Sequence, residues 1–306
     1  MPYFDLQING YAGVDFNSDN LDPARVSAAC DELAAQGVEG ILATIITDAL
    51  PEMESRLRAL VALRASVPAL AQILHGIHIE GPFLSPVDGY RGAHPADAIL
   101  TASESAMQRL LDAAGGLTRL VTLAPEQDPG LRVTRMLAGN NIVVSAGHTN
   151  ASLDQLRAAI DAGLNLFTHF GNGCPANLPR HDNILNRVLA LREHLWLTFI
   201  ADGAHIPFFA LKNYLDLVGL DRSIVVTDAI SAAGLGPGTY TLGRWSLTIG
   251  SDGIARAPGG THLVGSTSTM PASRDNLIQH IGLTESEANQ LLYDNPLGAL
   301  SGPSAS

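Results

Sequence analysis

Three residues in this sequence have the types and the placement to bind a catalytic metal ion: Glu80, His148 and His169. Two imidazoles and a carboxylate, with one position left for water, suit catalytic zinc. Donors of this borderline character also accept iron, manganese or cobalt. Taken singly, each reads as readily as a polar residue satisfied at a loop edge. What lifts them above that reading is that each closes a different β-type run. Asp228 closes another, in SIVVTDAISAAG. It is either a general base, taking a proton from an attacking water and returning it to a leaving amine, or a cap on the following turn. Gln7, Asn9, Asp202 and His205 fall at the ends of further runs. His78 precedes Glu80 by two and so points to the same side of its strand, as a support for the site or as a buried structural histidine. Cys174 is assigned to packing, since a thiol nucleophile needs a basic partner and none is in view.

Side chains this scattered along the chain need a scaffold that gathers strand ends. Short β-type runs occur at 4–9, 40–46, 73–80, 120–124, 141–146, 164–169, 195–201 and 223–227. Helical periodicity occupies 24–36, 51–66, 103–114, 152–162 and 207–218, with two last helices expected at 272–282 and 284–292. Eight strands alternating with helices predict an α/β fold, a (β/α)8 TIM-type barrel whose carboxyl-end face carries the chemistry; a doubly wound sheet shares the same alternation. The stretch 239–262 breaks the rhythm, alternates like strands and contains an Asp252-Gly253 turn signal. It is read as a β excursion after strand eight. Without a linker, repeat or low-complexity block, residues 1–306 are expected to form a single catalytic domain.

Composition narrows the partners. With 46% hydrophobic and 16% charged residues the chain can bury enough surface to fold. A net charge of −12 disfavours nucleic acid and anionic membranes, which need clustered cations. Lys212 is the only lysine, so anionic groups would be met by arginine, histidine or backbone N–H groups. Two cysteines, no apolar run near about 20 residues and no signal-like start give the expectation of a cytoplasmic protein.

The chain resembles the N-acetylglucosamine-6-phosphate deacetylases of the amidohydrolase superfamily. The motifs that carry this run in order: DLQINGYAGVDFN at 5–17, GIHIEGPFLSP at 76–86, RGAHP at 91–95 and SAGHT at 145–149. THFGNGCP follows at 168–175, IADGAHI at 200–206, VTDA at 226–229 and LVGSTSTM at 263–270. The resemblance implies a barrel hydrolase that removes an acetyl group from an amino-sugar phosphate. It implies Glu80, His148 and His169 as ligands of one divalent ion, zinc before iron, manganese or cobalt, and Asp228 as catalytic acid/base. His94 in RGAHP is similar to the histidine that helps polarise the acetyl carbonyl. Ala93, Asn172 and Gly173 would contact the sugar, His205 the phosphate or sugar, and the backbone of Leu263, Val264 and Gly265 would close over the ligand. Arg180 stands where the family places a phosphate-binding arginine that reaches across a homodimer interface. Gln7, Asn9 and His78 would support the site.

Three departures matter. Gln7-Ile8-Asn9 replaces the H-x-H of many superfamily members, which points to one metal ion. Most of the family's small accessory β-sandwich is expected to be lacking. NGCP replaces the more usual NAMP, and the residues around Arg180 differ, so deacetylation is a firmer expectation than the substrate. N-acetylgalactosamine 6-phosphate, an N-acyl amino acid, or a non-catalytic barrel that binds a sugar phosphate stand as alternatives.

Overall fold

The computed structural model describes residues 1–257, 259 and 262–301. Eight parallel strands pair in sequence order: β1 (Tyr3–Ile8), β2 (Val38–Ile46), β3 (Leu74–Glu80), β4 (Thr118–Leu123), β5 (Val143–Ala146), β6 (Leu164–Phe167), β7 (Trp196–Ile200) and β8 (Ser223–Val226). The ring closes between β8 and β1. Asp228 N–H donates to the Gln7 carbonyl at 2.9 Å, and Asn9 N–H donates to that of Ala229 at 2.7 Å. Closure makes this the expected barrel rather than an open doubly wound sheet. Helices α1 (Pro23–Ala35), α2 (Leu50–Ser66), α3 (Pro68–Ile73), α4 (Glu104–Ala113), α5 (Arg132–Gly139), α6 (Leu153–Asp161), α7 (Ile184–Leu189) and α8 (Phe208–Val218) connect the strands. Their starts are chemically marked. Asp22 caps α1 ahead of Pro23, and Ser152 with Gln155 forms a reciprocal capping box on α6.

The barrel interior is layered. Phe4, Leu6, Leu42, Leu120, Val143, Leu166, Ile224 and Val226 form an apolar layer, with Leu297, Ala299 and Leu300 of α11 (Asn295–Leu300) packed against it. Above it, side chains two residues further along the strands are polar and bonded to one another. His78 meets Thr44 at 3.3 Å and Thr122 at 2.8 Å, and Thr168 meets Thr122 at 2.7 Å and Ser145 at 2.6 Å. One step further lie the residues expected to do chemistry. In β1 an extra residue between Asp5 and Ile8 shifts the register against β2. Such a bulge re-aims side chains, so Leu6 joins the apolar layer while Gln7 and Asn9 reach the carboxyl end.

Several expectations change. Beyond the segments named from periodicity, the chain forms α3, α5, α7 and α11. Pro296 and Gly298 argue against α11 by propensity, but proline is tolerated in a first turn. The helix expected at 272–282 is α9 (Met270–Asn276) continued by a wider turn at Leu277–Ile281. The one expected at 284–292 is α10 (Glu285–Asn289) with a similar turn at Gln290–Asp294. The β excursion contains one antiparallel hairpin, β9 (Gly238–Leu242) with β10 (Trp245–Ile249), turning at Gly243 and Arg244, and beyond it Arg256 bridges antiparallel to Leu263. Asp252-Gly253 makes a separate turn after the hairpin. Residues 258, 260 and 261 of the expected excursion, and the polar tail at 302–306, lie outside the described residues. Among the described residues no helix is long and apolar enough to cross a membrane.

The seam between β1 and β8 holds a buried acid. The Asp5 carboxylate accepts from Gln7 N–H at 3.1 Å, Thr227 N–H at 3.3 Å and Thr227 Oγ1 at 2.5 Å. Burial pushes its pKa up to about 7, against those donors. A carboxyl raised in the fold favours folding most below its unfolded value and loses that contribution as pH climbs through about 7. Asp5→Asn, which cannot ionise and so avoids the cost of charging a buried carboxyl, should gain in Tm on the parent as pH rises from about 4 to 8, so that the gap between them changes steadily with pH. A gap that stays constant across calorimetric scans at those pH values would refute the assignment.

Candidate active site

Glu80 is the last residue of β3, while His148 and His169 lie two positions beyond β5 and β6. All three are buried, and their donor atoms converge. His169 Nε2 lies 3.1 Å from Glu80 Oε1 and 3.1 Å from His148 Nε2, and His148 Nε2 lies 3.4 Å from Glu80 Oε1. Bonds of about 2.0–2.1 Å to a tetrahedral ion place its ligands roughly 3.3–3.4 Å apart, so the spacing fits a divalent ion at the centre. The tautomer of His148 fits as well. Its Nδ1–H donates to the Tyr90 carbonyl at 2.9 Å, which leaves the Nε2 lone pair facing the cluster. Burial alone would raise the Glu80 carboxyl, but the His148 and His169 imidazoles hold it well below the usual range. Burial lowers His169, and the Glu80 carboxylate outweighs that and raises it.

Asp228 faces the same cavity from the end of β8. Its Oδ1 accepts from Asn9 Nδ2 at 2.7 Å and from Gln7 Nε2 at 3.2 Å. The same Gln7 amide reaches both Glu80 oxygens at 3.2–3.3 Å, so one side chain bridges the two carboxylates. Desolvation and the neighbouring Glu80 charge push Asp228 up to about 6. His148, His169 and Asp228 all have positive φ, at 49°, 32° and 49°. Non-glycine residues rarely occupy that region, and the strain of about 1 kcal/mol or more each recurs where chemistry fixes a side chain.

A loop from Gly89 to Pro95 closes one side. Gly92 lies against His148, where a Cβ would come within 2.9 Å of the ring. His94 Nε2 lies 3.2 Å from His148 Nε2. Burial and the adjoining His148 push its pKa down to about 3, so His94 is a neutral hydrogen-bonding group. His78 sits below the cavity, pushed down to about 4 by burial and bonded to two threonines, which is the structural alternative for that residue.

The cavity measures about 210 Å³. Ala93, Asn172, Gly173, His205, Leu263, Val264 and Gly265 line it, as the sequence suggested, together with Cys174, which was assigned to packing, and Leu242 and His262, which it did not single out. Asp202 Oδ2 meets His205 Nδ1 at 2.7 Å, which turns the Nε2 side of His205 to the cavity. Among the described residues, four buried polar atoms at this site, Asn9 Oδ1, His94 Nδ1, His169 Nδ1 and Asn172 Nδ2, have no hydrogen-bond partner in the protein. Arg180 is exposed and outside the cavity lining, so one chain does not bring it to this site. The Tyr90 carbonyl was not anticipated either, because a backbone role leaves no mark on residue type.

A closed parallel barrel with a carboxylate-bis-imidazole cluster and a second buried carboxylate at its strand ends has the layout of a metal-dependent barrel hydrolase. The chain belongs to the N-acetylglucosamine-6-phosphate deacetylase family. It is 33% identical to the N-acetylglucosamine-6-phosphate deacetylase of Bos taurus, over 94% of this chain and 70% of that protein. It is 31% identical to the N-acetylgalactosamine-6-phosphate deacetylase of Escherichia coli O157:H7, over 96% of this chain and 76% of that one. A mutant N-acetyl-D-glucosamine-6-phosphate deacetylase of Mycobacterium smegmatis, solved in complex with N-acetyl-D-glucosamine-6-phosphate, superposes with a TM-score of 0.88 at 29% identity. That match covers 99% of this chain and 78% of the other. No family model matches the chain.

The cluster predicts one divalent ion per chain. Equilibrium dialysis against zinc should give a stoichiometry near one, and His169→Ala, which leaves a carboxylate and one imidazole, should bring it close to zero. Undiminished binding by the variant would move the metal elsewhere.

Proposed function

We propose that this chain, working as a single catalytic domain, hydrolyses the acetamide of N-acetylglucosamine 6-phosphate to glucosamine 6-phosphate and acetate. The observation that carries the reading is the convergence of the Glu80–His148–His169 cluster and Asp228 on one cavity whose walls hold unpartnered polar atoms. An unpartnered buried group costs about 1–3 kcal/mol, a cost that a polar ligand filling the cavity would remove.

In this reading Glu80, His148 and His169 hold zinc. When bound, the ion supplies the electrophile, polarising the acetyl carbonyl and lowering the pKa of a water. Asp228 must enter ionised. It accepts a proton from the attacking water as the oxygen–carbon bond forms, and gives it to the departing nitrogen as the carbon–nitrogen bond breaks. Asn9 and Gln7 hold the carboxylate in place during both transfers. Neutral His94 donates a hydrogen bond to the carbonyl oxygen, and Asn172, Gly173, His205 and the Leu263–Gly265 backbone position the sugar phosphate. Arg180 reaches the phosphate of a neighbouring copy in a homodimer, where its planar fork can bond two oxygens.

Acetate release by zinc-loaded protein should be far faster with N-acetylglucosamine 6-phosphate than with N-acetylglucosamine. Asp228→Asn should cost at least about 100-fold in kcat. Equal rates on both sugars would discard the phosphate role. Because one relative deacetylates the galactosamine epimer, N-acetylgalactosamine 6-phosphate belongs in the same assay, and a higher kcat/KM on it would reassign the substrate.

The acidic limb of the kcat/KM profile follows from Asp228. Protonation below about 6 removes the base, and a bound cation can only lower that value. Activity should thus fall as pH drops through 6 or below. A limb centred above pH 7 would show that another group is the base.

A further inference from the structure

The hairpin β9–β10 turns on Gly243 and Arg244, and its tip meets the loop that carries His94. Trp245 Nε1–H donates to the Ala93 carbonyl at 2.9 Å, one residue before His94. Arg244 Nη1 pairs with Asp97 at 2.9 Å, three residues after it. The same guanidinium is tied to the barrel wall, since Arg244 Nε donates to Asp48 at 2.7 Å. Asp48 is itself buried and held at 2.8 Å by Arg56 of α2. The tip thus grips the loop on both sides of His94 from an anchored base, and the Trp245 ring packs with Ala93 in the apolar cluster of Leu242, Leu247, Ile249 and Val264.

The loop passes this constraint inward at two points. Its Tyr90 carbonyl fixes the His148 tautomer at 2.9 Å, and His94 Nε2 stands 3.2 Å from His148 Nε2. Moving the loop would displace a carbonyl-polarising group and loosen a metal ligand together. We propose that Trp245 and Arg244 are positioning residues for the hydrolysis, the hairpin tip acting as a clasp that holds His94 and His148 in working geometry through the Ala93 carbonyl and Asp97. This rests on the function proposed above, and the readouts separate the two.

Trp245→Phe keeps the ring and removes only the N–H. Partners that orient metal ligands cost about 10–100-fold when lost, so kcat should fall about 10-fold with KM little changed. Release of Co²⁺ from the cobalt-loaded protein to a chelator should quicken by a similar factor, with Tm near the parent value. Arg244→Met should act the same way, and Arg244→Lys should recover part of the loss. Tyr240→Phe, which removes a hydroxyl bonded to Gly236 on the same hairpin, should change neither readout. Parent-like kcat and cobalt release in Trp245→Phe would overturn the clasp, as would losses that merely track the unfolded fraction. If the parent protein turns over none of the sugar phosphates, the proposed function falls, and cobalt release alone decides the clasp.

Discussion

Two carboxylates enclosed at one barrel mouth are the constraint from which the rest of this site follows. Glu80 and Asp228 are bridged by a single amide, the Gln7 Nε2 group at 3.2–3.3 Å from both. Each charge disfavours the other, and desolvation disfavours both. The structure resolves the conflict asymmetrically. Glu80 has two imidazoles against it and is held ionised, while Asp228 has only amide donors and drifts up to about 6. One carboxylate thereby keeps its charge while the other can gain and lose a proton near pH 6. Such divergence within a pair of neighbouring carboxyls is how one site obtains separate electrostatic and acid/base roles.

The barrel makes that arrangement possible by stacking three layers of different chemistry. The apolar floor resists water, the His78–threonine layer is hydrogen-bonded within itself, and the top layer holds unmet polar atoms at Asn9, His94 and Asn172. A fully bonded polar layer is rigid because breaking it exposes unpaired groups in a low dielectric. It therefore gives Glu80 and its partners a firm base while the loops above remain free to differ. The positive φ values at His148, His169 and Asp228 mark where the chain leaves each strand abruptly to turn its side chain over the mouth.

Much of this was legible in the sequence for a physical reason. A buried parallel strand is an apolar run, so a histidine or carboxylate that ends one is conspicuous, as at Glu80, His148, His169 and Asp228. What holds the Asp228 carboxylate was not legible, because its partners, Asn9 and Gln7, are 219 and 221 residues away. Backbone contributions such as the Tyr90 carbonyl are independent of residue type and leave no pattern. The turn signal at Asp252-Gly253 was legible, whereas the hairpin turn at Gly243-Arg244 carries no comparable local signature. At α11, burial against the barrel floor overrode poor intrinsic propensity.

The overall charge leaves one further consequence. A chain of net charge −12 with a single lysine repels anions at long range, yet the proposed substrate is a phosphate ester. Within the cavity, a divalent cation would be offset by ionised Glu80 and Asp228, so the metal centre leaves little charge to spare for the phosphate. Attraction has to come from groups placed at the far end of the ligand. Among the cavity residues His205 is positioned by Asp202 for such a contact, but its imidazole nitrogen cannot match a guanidinium in charge or in donor number. An exposed arginine outside the cavity, as Arg180 is, can supply that charge without the desolvation cost of burying a cation in each isolated chain. Were two copies to assemble with Arg180 turned to the neighbour's cavity, as proposed above, substrate affinity would depend on association as well as on the barrel.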